Sequence, residues 1–75
     1  MKDTHLGKLI KEKFEEKQQV DKYFSKSTFA RQIHVHRTTV YQLFEQRSLD
    51  IELLVRISKA LDYNFVEEYL KDMYE

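Results

Sequence analysis

Arg37, Thr38, Tyr41, Gln42 and Glu45 fall opposite Val40 and Leu43 on a helical period. One face of this stretch therefore carries a guanidinium, a hydroxyl, a phenol, an amide and a carboxylate, groups that form hydrogen bonds rather than break covalent ones. Catalysis has no foothold elsewhere. The chain holds no Cys nucleophile and no Gly-rich phosphate loop, and its carboxylates fall on faces expected to be solvated. The expectation is a protein that is not an enzyme. His34 and His36 stand two apart across an expected turn, with no Cys, Asp or Glu ligand nearby in sequence, so neither a metal nor another cofactor is expected.

The elements that must position this row are short. Phe29, Ala30 and Ile33 form one apolar stripe, Val40, Leu43 and Phe44 a second, and Val35 lies between them as an apolar plug. Small Ala30 stands where two helices meeting at a steep angle need close approach. Two such helices with a tight break make a helix-turn-helix over residues 26–46, whose second helix can enter the major groove of DNA.

The remaining composition is consistent with a small helical protein. A chain of 75 residues reads as a single domain, 1–75, that buries about 60% of the surface exposed when unfolded. Without Cys, no disulfide or thiolate metal site supplements the core. The lack of Pro and the single Gly7 argue against hairpins. No apolar run approaches the ~18 residues of a membrane span, and the first fifteen residues are too charged for a signal peptide. No membrane partner is expected, and the expected location is cytoplasmic.

Formal net charge is zero, yet it is unevenly spread. Residues 26–48 carry Lys26, Arg31, Arg37 and Arg47 against Glu45 alone, whereas residues 49–75 hold three basic and seven acidic groups. Positive potential is thus concentrated on the helix-turn-helix segment, as phosphate contacts require.

Five helices are expected. The first runs from a Thr4 cap to about Lys17, burying Leu6, Leu9, Ile10 and Phe14. Residues 18–24 read either as a frayed end or as a loop placing Tyr23 or Phe24 on the core. Ser25 or Ser27 can cap the second helix. The third starts near His36 or Arg37 and ends near Gln46. Asp50 is the expected cap of the fourth, which stops around Asp62-Tyr63. Asn64, with Glu67 three residues later, opens a fifth over residues 65–74. That helix carries a stripe of Phe65, Val66, Tyr69, Leu70 and Met73.

Phe29-Ala30, Ile33, Val35, Arg37-Thr38-Thr39-Val40-Tyr41, and Leu49-Asp50 leading to Leu54, Ile57, Ala60 and Leu61 together resemble the Cro and phage-repressor type of helix-turn-helix. This is the XRE family, and the wording is most similar to its small members of the Bacteroides type. One departure stands at the turn, where the family usually holds Gly and this chain holds His34, a residue type that tolerates left-handed dihedrals better than most. The resemblance implies an all-α, compact five-helix bundle of the repressor-like type.

It also implies roles. Arg37, Thr38, Tyr41 and Gln42 would read bases, Arg37 on guanine O6/N7, Gln42 on adenine N6/N7, and Thr38 on a thymine methyl or a phosphate. Tyr41 would also reach a phosphate or a sugar. Lys26 and Ser27 would anchor phosphate at the start of the second helix, and Arg47 and Ser48 would touch the opposite strand's backbone. The implied partner is double-stranded DNA at a pseudo-palindromic operator, bound by a homodimer through helix 65–74 and acting as a repressor. Two alternatives stay open: an antitoxin-type regulator with a toxin as protein partner, and a protein-interaction module on the same fold.

Overall fold

The computed structural model describes residues 5–47 and 49–74, with side chains described as far as Lys71. Thr4, Ser48 and the side chains of Asp72, Met73 and Tyr74 lie outside the described residues, and so do the cap, the phosphate contact and the part of the stripe expected of them. The described residues form five helices, α1 (Leu6–Val20), α2 (Lys26–Gln32), α3 (Arg37–Leu43), α4 (Ile51–Leu61) and α5 (Phe65–Tyr74). No strand occurs among the described residues. Among the described residues no helix is long and apolar enough to cross a membrane.

Leu6, Ile10 and Phe14 recur every four residues along α1 and are fully buried. Phe14 is the hub of the core. Its ring centroid lies 5.3 Å from Phe24, 5.4 Å from Phe29 and 5.6 Å from Phe44, all tilted, the geometry in which aromatic quadrupoles attract. Ala30, Ile33, Val40, Leu43, Leu54, Ile57, Leu61 and Phe65 are also buried in the core. Among the described residues no buried side-chain nitrogen or oxygen lacks a partner.

α1 is longer than its periodicity suggests. It runs to Val20 rather than Lys17, and Gln18 Nε2 donates to the Phe24 carbonyl at 3.2 Å, tying the connection back to the helix. Of the two aromatic residues in that connection, Phe24 enters the core and Tyr23 stays 82% exposed. A Tyr23 amide bond to Asp21 Oδ1 at 3.1 Å closes the turn between them.

α3 is shorter than expected, ending at Leu43 instead of near Gln46. The Glu45 and Gln46 amides donate to the Gln42 and Leu43 carbonyls, at 3.0 and 3.2 Å. These three-residue spacings tighten the end into a 3₁₀-like turn. α4 begins with Asp50 at its N-cap position, but the carboxylate makes no cap bond. At its other end Asp62 adopts φ 53°, and the Tyr63 amide reaches back to the Ser58 carbonyl at 3.1 Å. The Ser58 hydroxyl donates to the Leu54 carbonyl at 2.8 Å and accepts the Phe65 amide at 3.2 Å, fixing where α5 departs. α5 opens as expected, Asn64 Oδ1 accepting the Glu67 amide at 3.0 Å.

Tyr63 braces this corner. Its hydroxyl donates to Glu68 Oε1 at 3.0 Å, and its ring packs tilted against Phe65 with centroids 4.8 Å apart. The hydrogen bond to Glu68, then burial and the Glu68, Glu67 and Glu12 charges, raise the phenol's pKa above its ordinary 10.0.

Candidate nucleic-acid interface

The interface is built on the turn between α2 and α3. Ser25 caps α2, its Oγ accepting the Thr28 amide at 3.2 Å, so Ser27 remains exposed at the helix start. α2 ends with His34 at φ 61°, the left-handed region that non-Gly residues enter at a cost. The His34 amide donates to the Arg31 carbonyl at 3.3 Å and the Val35 amide to the Ala30 carbonyl at 2.9 Å. This is a Schellman closure with His34 in the place glycine usually takes. It turns the chain so that Val35 packs on the core and α3 starts within two residues.

His36 caps α3. Its Nδ1 accepts the Thr38 amide at 3.3 Å, and Thr38 Oγ1 lies 3.0 Å from the same nitrogen. An accepting Nδ1 places the ring proton on Nε2. The Thr38 hydroxyl then donates to His36, leaving its methyl and its oxygen lone pairs for a base edge or phosphate.

The trailing end of α3 is seated on α1. The Leu6 and Gly7 amides, in the first turn of α1, donate to the Arg47 and Gln46 carbonyls at 3.2 and 2.8 Å. Gly7 is the residue that sequence reasoning missed. A Cβ there would collide with the carbonyl oxygens of Leu43, Phe44 and Gln46. The only signal was a lone glycine amid strong helix formers, where it costs about 0.5–1 kcal/mol relative to alanine.

Held at both ends, α3 buries Val40 and Leu43 and exposes Arg37, Thr38, Tyr41 and Gln42, with Glu45 exposed in the turn that follows. Arg37 and Tyr41 stand one turn apart along one edge of that face, while Thr38 and Gln42 occupy its middle. Lys26 joins the edge from α2. Its Nζ lies 5.4 Å from the Tyr41 ring centroid and 5.4 Å from that of Phe14. The structure thus gathers four base-reading candidates on one helix face, with Lys26 bridging toward it. Arg47 is exposed just beyond α3.

Other cations serve the scaffold. Lys17 Nζ donates to the Ala60 carbonyl at 2.9 Å, at the C-terminal end of α4. With Gln32, His34, Arg56 and Lys59 it lines a cleft behind the turn. Positive groups there offset the partial negative charge of helix C-termini, and Arg56 is paired with Glu52.

Residues 19–67 match the family described as helix-turn-helix. No curated protein and no solved structure is similar enough to the chain to extend that assignment. The match covers the left-handed turn at His34, the row Arg37–Gln42 and all of α4, and the chain belongs to the XRE-type helix-turn-helix family of DNA-binding regulators.

Proposed function

We propose that residues 1–75 act as one domain that binds a specific double-stranded DNA sequence in the cytoplasm and represses transcription by occluding an operator. The observation carrying this reading is the row of exposed, hydrogen-bonding side chains on α3, placed beside a half-buried lysine at the start of α2. In the reading, α3 enters the major groove, and Arg37, Thr38 and Gln42 meet base edges. Lys26, Ser27, Arg47 and Ser48 meet phosphates. A homodimer spans a pseudo-palindrome with half-sites about one helical turn apart. Supporting a dimer, Val55 and Leu70 are 37% and 41% exposed on α4 and α5, which pack against one another. An isolated domain of this size would bind few phosphates, so pairing multiplies a weak contact.

Selection of bound duplexes from a random pool at controlled salt tests the reading. The expected outcome is a pseudo-palindromic consensus with binding that weakens steeply with salt. Absence of binding to any duplex would favour the protein-interaction module, and stable capture of a toxin encoded beside the gene would favour the antitoxin.

A further inference from the structure

Tyr41 is half-exposed on a face otherwise made of hydrogen-bonding groups, and the neighbour that its ring meets is Lys26. The Lys26 ammonium lies 5.4 Å from two ring centroids, Phe14 below and Tyr41 beside it. The lysine is only partly exposed although it stands at the first position of a surface helix. A free lysine side chain loses up to roughly 2 kcal/mol of rotamer freedom when it is fixed. Two aromatic rings remove part of that freedom, and part of the ammonium's water, before any ligand arrives.

We propose that Tyr41 is a positioning residue: together with Phe14 it holds the Lys26 ammonium at the α2–α3 junction, ready for a DNA phosphate, and it reads no base. This rests on the DNA-binding reading above and refines the role expected for Tyr41. The ring supplies its electron-rich face to the cation, and the phosphate takes the ammonium's remaining donors. Arg37, one turn before Tyr41 on the same edge, is thereby held in register with a phosphate-bound Lys26.

The test compares Tyr41→Leu, Tyr41→Phe, Lys26→Ala and the Lys26→Ala/Tyr41→Leu double variant. The probes are a mixed-sequence duplex, which reports phosphate contacts, and the selected consensus duplex. Tyr41 is exposed, so each chain is expected to keep its helical circular dichroism. Tyr41→Leu should lose roughly two- to five-fold in affinity on both duplexes and show a smaller salt slope. Lys26→Ala should lower that slope by about 0.9, one phosphate's worth. The double variant should bind no worse than Lys26→Ala alone, and Tyr41→Phe should bind as wild type.

A Tyr41→Leu chain that binds as wild type overturns the proposal, as does an equal loss in Tyr41→Phe, which would mean a hydroxyl contact with DNA. A Tyr41→Leu loss that persists on top of Lys26→Ala, or that appears at one base position only, overturns it too. A wild-type chain that binds neither duplex removes the DNA reading itself, an outcome distinct from all of these.

Discussion

The Gly7 amide donates to the Gln46 carbonyl at 2.8 Å, so the first turn of α1 holds the turn that ends α3. The bond links residues far apart in sequence and needs backbone approach closer than any Cβ allows. Gly7→Ala sets two effects of opposite sign against each other. Helix propensity alone would stabilise the chain by about 0.5–1 kcal/mol, whereas the clash with three carbonyls should cost about 1–3 kcal/mol. The expected result is a lower urea midpoint and weaker DNA binding; a midpoint at or above wild type would show that the α1–α3 seat is dispensable.

At the other end of α3, His34 carries a left-handed strain that glycine would relieve. His34→Gly removes about 1–2 kcal/mol of steric cost and adds back somewhat less in unfolded-chain entropy. The variant should melt slightly above wild type, and His34→Val clearly below it, because a β-branched residue fits that dihedral worst. Equal melting of all three chains would contradict the turn geometry.

Phe14 touches three other aromatic rings, so its removal cannot be absorbed by one neighbour. Phe14→Ala should cost about 3–5 kcal/mol, comparable with the whole stability of a small domain. Circular dichroism should then show a largely lost cooperative transition. A melt near that of the wild type would mean that the core is organised elsewhere.

The Tyr63 phenol is raised in the folded state, chiefly by its hydrogen bond to Glu68. A group whose folded pKa lies above its unfolded value contributes stability fully at lower pH and loses it on ionising. Stability from this contact should therefore be constant below pH 10 and fall as pH rises from there through the raised folded value. Tyr63→Phe should unfold about 0.5–1.5 kcal/mol more easily at neutral pH. It should also lose the alkaline decline, which would be read as a gap between the two denaturation curves that narrows above pH 10. A constant gap would rule the contact out as the source.

Arg37→Ala and Gln42→Ala should each relax selectivity at one base position by about 1–3 kcal/mol. Lys26→Ala should instead weaken binding to every sequence alike. Competition between single-base variants of the selected duplex separates these cases, and uniform losses for all three substitutions would remove the base-reading roles.

Much of this architecture is legible in the amino-acid order because it is local. Four-residue recurrences such as Leu6, Ile10 and Phe14 mark buried faces, and Asn64 with Glu67 marks a helix start. His34 at the turn is readable too, since few residue types accept φ 61°. What stays hidden depends on partners distant in sequence. Nothing near Lys17 announces the Ala60 carbonyl, 43 residues away. Nothing in Lys26 and Tyr41 separately announces their pairing. The choice of Phe24 over Tyr23 for the core was likewise decided by the reach of a connection whose length periodicity misjudged, because α1 absorbs residues 18–20.

The way α3 is fastened has a consequence for how such a protein diversifies. Its two ends are secured by main-chain bonds at His34 and Gly7, and its inner side by Val40 and Leu43. The Arg37 and Gln42 side chains make no hydrogen bond or ion pair with the described residues. Exchange at those two positions leaves every fastening in place, so on the base-reading roles proposed above, target preference would drift under selection while foldability stays constant. Lys26, Thr38 and Tyr41 lack that freedom because each has a partner in the fold, and descendants of this chain should retain them or change them together with His36 and Phe14.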